Sequence, residues 1–202
     1  MCFNAEVSII TYIIGMIGSF LLFKKNYIPE AIFYAWVIQM QFIEFLLWKN
    51  QPCPSNKNLQ VSKTGMIINH LEPIILWLAI LYFSKRKLPL MINVLMLIFI
   101  ISTILYSLNL KMECTTVSEQ SKPYLHWKWN EGNFSAWYYV LFLVSLVVLS
   151  YYGLNKGYIN SIIVLISFVV SLLIYQNKNV VGSMWCFFAA FGPWILLFLY
   201  SR

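Results

Sequence analysis

Charge is what this sequence has least of. Of its 202 residues, 14 are Lys or Arg and 7 are Asp or Glu, so charged side chains make up 10% of the chain against 60% hydrophobic ones. A soluble domain covers itself with roughly 25% charged residues, and a chain of this size cannot hide so much apolar surface inside itself. Lipid must be the solvent for much of it. Histidine is scarcer still, at two residues, His70 and His126. That is too few for the several-histidine zinc centre typical of seven-helix membrane hydrolases. No Ser–His–Asp pattern, Gly-rich phosphate loop or Cys-x-x-Cys is present, so catalysis has no specific signal. A basic stripe interleaved with polar groups is also missing, which separates the net charge of +7 from nucleic-acid binding. The N-terminus has no basic stretch and no cleavage signature, so the first apolar run is expected to be retained. Neither a glycine at position 2 nor a C-terminal prenylation box is found. The length suits one compact bundle without a separate soluble domain.

What the chain does have is long apolar runs. A bilayer core takes about 20 mostly apolar residues per helix. Seven runs qualify: 5–23, 28–48, 65–83, 88–108, 135–152, 158–175 and 181–200. β-Barrel strands would be about half as long and alternate in polarity. The expected fold is therefore an all-α integral membrane protein, a single seven-helix transmembrane domain over residues 1–202. Lys24, Lys25, Lys85, Arg86, Lys87, Lys156 and Arg202 gather in the short separators on one side, with Glu30 the nearby acid. The other side has two long loops, around 51–64 and 111–133, where Glu113, Glu119 and Glu131 dilute the lysines. The positive-inside rule puts the short basic loops and the C-terminus in the cytoplasm, and the N-terminus outside. Trp48, Trp127, Trp129, Trp137 and Trp185 crowd the expected outer boundary, as an interfacial belt would.

The two halves echo one another. At a constant offset Phe3, Ala5, Ser19, Lys25, Tyr27, Ile28 and Ile32 meet Phe134, Ala136, Ser150, Lys156, Tyr158, Ile159 and Ile163. At a shorter offset Pro73-Ile74-Ile75-Leu76 meets Pro193-Trp194-Ile195-Leu196. This pattern suggests a 3+1+3 parallel pseudo-repeat joined by the fourth span. Apolar helices also match by chance, so coincidence is the competing account.

Three short stretches carry a family resemblance: Met1-Cys2-Phe3-Asn4-Ala5-Glu6, Gln41-Phe42-Ile43-Glu44 running to Trp48, and Trp185-Cys186-Phe187-Phe188-Ala189-Ala190. The chain resembles an uncharacterised family of small multispanning membrane proteins, with bacterial and giant-virus members, that begin Met-Cys-Phe-Ser-Ala. Asn4 replaces the usual serine. The resemblance implies a membrane location and no activity. The Ile, Asn and Lys bias would suit the AT-rich genome of a viral member. Microbial rhodopsins need a retinal-binding lysine in the last helix, and 181–200 contains none. A parallel 3+1+3 plan is similar to sugar-efflux and Pro-Gln-loop transporters, but the Pro-Gln dipeptide is absent, and architecture alone says little about substrate.

Ionisable residues inside a span cost roughly 2.5–3.5 kcal/mol each near the centre, which makes them functional hypotheses by default. Here they are Glu44 in the second span and His70 and Glu72 in the third. Gln41 lies one turn from Glu44, and Asn69 one turn from Glu72. Glu44 falls about 6 Å below Trp48 and His70 about 8 Å below Gly65, in the outer half. Tyr34, Gln41, Glu44 and Trp48 share a face, as do Asn69 and Glu72, whereas His70 points about 100° away from Asn69 and about 200° from Glu72. Glu44 is therefore expected to join either His70 or the Asn69/Glu72 pair. Pro73 and Pro193 cannot donate to the carbonyls of Asn69 and Ala189, and Gly192 loosens the second turn further, so helix breaks are expected there. Freed carbonyls at membrane depth suit a ligand, water or protein partner, and a plain structural kink is the alternative. Cys53 and Cys114, in the two long outer loops, are disulfide candidates, as are Cys2 and Cys186. A mixed metal site of His70, Glu44 and a cysteine is chemically allowed, but no ligand spacing supports it.

These residues point to transport, conduction or sensing of a proton, cation or small polar ligand, with Glu44 the primary protonatable or cation-binding group. His70 and Glu72 modulate it, and Gln41 and Asn69 supply neutral hydrogen bonds. The alternatives are a membrane-embedded enzyme acting on lipid and a structural envelope protein whose polar residues join helices. The expected partner is the lipid bilayer, with no nucleic acid. The sequence assigns no cofactor.

Overall fold

A computed structural model describes residues 4–117, 123–131, 133–175 and 180–201. Cys2, Phe3, Glu119 and Arg202 lie outside the described residues. The first helix, α1 (Ala5–Lys24), starts at Asn4, whose side chain accepts from the Val7 amide at 2.8 Å. Its buried face is small and polar (Ser8, Thr11, Gly15, Gly18, Ser19), which lets neighbouring backbones approach closely. The second apolar run forms two collinear pieces, α2 (Ile28–Val37) and α3 (Gln39–Lys49). Pro29 fits the first turn of α2, where no N–H is needed. A longer helix, α4 (Asn56–Phe83), is capped by the Ser55 hydroxyl and begins well before the expected residue 65. Then come α5 (Leu90–Asn109), α6 (Ser135–Gly153), α7 (Gly157–Tyr175), α8 (Val181–Ala189) and α9 (Gly192–Tyr200). They form seven helices long and apolar enough to cross a membrane, with α2–α3 and α8–α9 counting as one each.

Six of the seven close a ring. From α1 the contacts run through α2 and α3 to α4, then to α6, α7 and α8, and α9 returns to α1. The seventh, α5, leans on α6 from outside the ring and touches α4 lightly. Tyr34, Ile38, Leu76, Phe142, Leu146 and Leu196 fill the interior. The outer surface is apolar too: Leu90, Met91 and Leu108 are 78%, 83% and 78% exposed. Water leaves few contiguous patches of that kind on a folded protein, whereas acyl chains cover them without cost.

The long loops build an ordered cap on one end. Cys53 and Cys114 form a disulfide with Cα atoms 6.0 Å apart. Beside it the buried Thr115 backbone exchanges hydrogen bonds with the Asn58 side chain, and the Thr115 hydroxyl meets that of Ser62 at 2.8 Å. A two-residue hairpin, β1 (Thr116–Val117) with β2 (Leu125–His126), and a 3-10 turn at Lys128–Glu131 complete it. Trp127 and Trp129 stack at 4.9 Å and are buried. Trp129 rests on Gly65, where a Cβ would come within 3.2 Å of the indole. The expected belt of outer tryptophans is thus mostly something else. Trp137 does face outward, at 76% exposure, but Trp127 and Trp129 are the core of the cap, Trp185 is buried and Trp48 is half-buried.

Candidate functional site

The third apolar run brings Asn69, His70 and Glu72 into the ring on α4, all at most 4% exposed. Asn69 and Glu72 share a face, and the Asn69 amide donates to Glu72 Oε1 at 3.2 Å. His70 leaves α4 in another direction. Its Nδ1 meets the Ser107 hydroxyl of α5 at 3.0 Å, and its ring lies among Tyr106, Tyr138 and Tyr139. Tyr139 rejoins the two groups. Its hydroxyl donates to Asn130 Oδ1 in the cap at 2.6 Å and stands 3.3 Å from Asn69 Oδ1 and 3.4 Å from His70 Nε2. The structure thus links cap, Asn69, Glu72 and His70 through one phenol that sequence reasoning missed. Nothing in the spacing marked it, because Tyr138-Tyr139 reads as part of an aromatic run.

A vestibule of about 440 Å³ opens above this tyrosine. Asn69, Asn130 and Tyr139 line its floor, Trp127, Trp185 and Phe168 its walls, and His126 and Glu131 its rim. Volume and lining are those of a small-molecule site, apolar walls with a few convergent polar groups. At the rim Glu131 accepts from Lys128 at 3.1 Å and pairs with His126 at 2.5 Å. Slight burial raises the Glu131 carboxyl, but the Lys128 hydrogen bond and the charge of His126 outweigh it and hold the group below its ordinary value. No family model matches this chain, and no curated protein or solved structure does. Its chemistry has to be read from the residues themselves.

Glu44 and Gln41 are wholly buried on α3. Glu44 was expected to meet His70 or the Asn69/Glu72 pair. One hydrogen bond to it comes from Ser183, whose hydroxyl donates to Glu44 Oε1. Ser183 is in the first turn of α8, a helix whose N-cap Val180 has no capping side chain, and a carboxylate suits the positive end of the helix dipole. Glu44 is not among the residues that line the vestibule. Glu44 thus ties α3 to the wall that carries Gly182 and Trp185, while Asn69 lines the vestibule and His70 and Glu72 each stand one hydrogen bond behind its lining.

The prolines part company as well. Ahead of Pro193 the chain leaves α-helical pairing between α8 and α9, with the Phe191 amide reaching back only three residues, to Phe188. At Pro73, in contrast, α4 continues unbroken. The other interruption is at Ile38, which carries no breaker signature. Its position faces Gly15 of α1: a Cβ there would lie 2.7 Å from Ile38 Cδ1 and 3.2 Å from the Ala190 carbonyl oxygen, so both interruptions meet α1 at one depth. Among the described residues no three His, Cys, Asp or Glu side chains gather as a metal centre would require, so His70, Glu44 and a cysteine are not assembled into one. Cys186 is buried near the ring interior, and its proposed partner Cys2 lies outside the described residues.

Proposed function

We propose that the chain is an integral membrane transporter or sensor whose outward-facing vestibule binds a small cation or polar ligand and couples it to protonation inside the ring. The observation that carries this reading is the Tyr139 hydroxyl, 3.3 Å from Asn69 and 3.4 Å from His70, at the floor of the vestibule. A ligand settling there touches, through one phenol, Asn69 and His70 of α4, with Glu72 one hydrogen bond further on. Aromatic walls favour a cation over an anion, since ring faces attract positive charge. The cap faces outside and the basic loops face the cytoplasm, following the lysine distribution.

The ring order supports a 3+1+3 reading. Span-length helices one to three and five to seven each pack in chain order, the two trios meet at α4–α6 and α9–α1, and α5 stays outside. Ser19 and Ser150, partners in the offset, are both buried. Two such units rocking against one another around a site between them is a general plan for alternating access.

The test uses full-length protein in lipid nanodiscs, titrated with tetramethylammonium while tryptophan fluorescence is followed. A saturable change is expected, because Trp127 and Trp185 wall the vestibule. Tyr139→Phe should weaken the apparent affinity about tenfold, as loss of one buried hydrogen bond of roughly 1.4 kcal/mol would. No response to tetramethylammonium, to primary alkylamines or to pH between 5 and 8 would overturn the reading.

A further inference from the structure

Six cations gather at the end of the bundle away from the cap: Lys24 and Lys25 at the end of α1, Lys85, Arg86 and Lys87 between α4 and α5, and Lys156 between α6 and α7, all exposed. The loops that carry them are fastened to one another. The Ser84 hydroxyl donates to the Gly153 carbonyl at 2.8 Å and accepts from the Arg86 amide at 3.1 Å, which pins the α4–α5 loop to the end of α6. Lys156 Nζ donates to the Leu199 carbonyl at 3.3 Å, and the Tyr27 and Tyr200 rings pack 4.5 Å apart. In the sequence Glu30 is the one acid near these cations. It is 0% exposed and accepts from the Asn155 amide at 3.0 Å. Among the described residues the ion pairs lie in the cap instead, between Glu131 and Lys128 or His126. The basic end thus keeps its charge open to a partner outside the chain.

On both sides of Lys85, Arg86 and Lys87 the surface turns from basic to apolar within one helical turn. Tyr82 and Phe83 end α4, Leu90 and Met91 begin α5, and all four are more than half exposed. Those two helices touch lightly, tied near this loop by the Trp77 indole, which donates to Asn93 Oδ1 at 2.9 Å. A nucleic acid or an acidic peptide would meet the cations and leave the hydrocarbon beside them uncovered. A molecule that carries a negative charge directly above its own hydrocarbon covers both.

We propose that the α4–α5 loop, with Lys156 three residues beyond the Gly153 that anchors it, binds the phosphate headgroup of an anionic phospholipid whose acyl chains lie along Tyr82, Phe83, Leu90 and Met91. The proposal rests on the integral-membrane reading and is independent of what the vestibule binds. It gives the basic loops a task besides orientation, which is to choose among lipids. Near a membrane surface each Lys or Arg strengthens attraction to anionic lipid about fivefold, the equivalent of about 1 kcal/mol. A zwitterionic phosphatidylcholine headgroup has no net charge with which to gain that attraction. The Ser84 anchor helps, because a loop already held in place has less freedom to lose on binding.

The experiment titrates the full-length chain in detergent micelles with phosphatidylglycerol or with phosphatidylcholine of the same acyl chains, and reads the first bound lipid by native mass spectrometry. The wild type should bind phosphatidylglycerol at least about fivefold more tightly. Lys85→Gln/Lys87→Gln should bring that preference below about twofold, and Lys85→Arg/Lys87→Arg should keep it. Arg86 is left in place because its charge acts on buried Glu30. Lys57→Gln/Lys63→Gln removes the same charge from exposed positions near the cap and should leave the preference unchanged. Equal affinity of the wild type for the two lipids overturns the proposal, and so does a preference that survives Lys85→Gln/Lys87→Gln. An equal loss in the two glutamine variants overturns it as well, since net charge rather than this loop would then be the cause. The same protein reconstituted in phosphatidylcholine vesicles is washed with alkaline carbonate. Extraction by the wash would sink the membrane reading and the lipid site with it, whereas retention without lipid preference removes the lipid site alone.

Discussion

A single missing methyl at Gly192 sets how near α9 comes to Tyr34. Adding it would put a Cβ 2.3 Å from the tyrosine ring, so either Tyr34 leaves its position or the helices separate. Overpacking of this kind costs about 1–3 kcal/mol. Gly192→Ala should lower the thermal midpoint in detergent. At the rim the governing residue is Glu131. Its folded-state carboxyl sits below the ordinary carboxylate range, so its contribution is present above that range and is lost as pH falls through the lower folded value. The rim contacts of Glu131 should therefore weaken as pH falls below the ordinary carboxylate range. Hydrogen exchange of the 123–131 backbone amides, compared at pH 6 and pH 3 after correction for intrinsic rates, measures that weakening. Glu131→Gln should make the exchange pH-independent.

Helices show how much could be read in advance. All seven spans were legible, because 20 apolar residues in a row leave little else to form. The interruption ahead of Pro193 was legible too, since a missing N–H is a local fact. The one at Ile38 was not: no breaker marks it in the sequence, and it sits where the chain packs against Gly15 of another helix. Likewise the early start of α4 came from Ser55 capping and from Asn58 and Ser62 meeting Thr115, fifty-odd residues away in the chain. The acids within the apolar helices and His70 stood out by what they would cost in lipid. Their partners Ser183, Ser107 and Tyr139 did not, because a serine or tyrosine in a span carries no such penalty to betray it. Pro73 makes its own prediction. Proline inside a continuous helix forfeits a hydrogen bond and strains the preceding turn, at about 3 kcal/mol. Pro73→Ala should raise the thermal midpoint by several degrees. A fall instead would show that the Asn69 carbonyl has a use that alanine's N–H takes away.

The molecule as a whole has one stapled end and one basic end. The Cys53–Cys114 bridge spans 61 residues and joins loops that also meet through Thr115 and its neighbours. A bridge of this kind is worth about 2–4 kcal/mol. The double variant Cys53→Ser/Cys114→Ser should melt earlier by that amount and lose the linked peptide pair seen in a non-reducing digest. Sidedness is tested in a Cys2→Ser background with the exposed positions Lys57→Cys and Lys87→Cys. An impermeant maleimide should label the first in intact cells and the second only after permeabilisation. The reverse pattern would invert the molecule, leaving its internal geometry untouched.

Closure of the ring by α8 and α9 has a consequence for biogenesis. These two helices are synthesised after the six span-length helices they complete, and they bring the hydroxyl for Glu44, the indole for Ser167 and the glycine against Tyr34. Until they insert, the nascent chain presents an open polar seam to lipid or to the insertion machinery. Arrest of translation before residue 180 should accordingly trap an intermediate bound to a membrane chaperone, and release should follow synthesis of a segment only about twenty residues long.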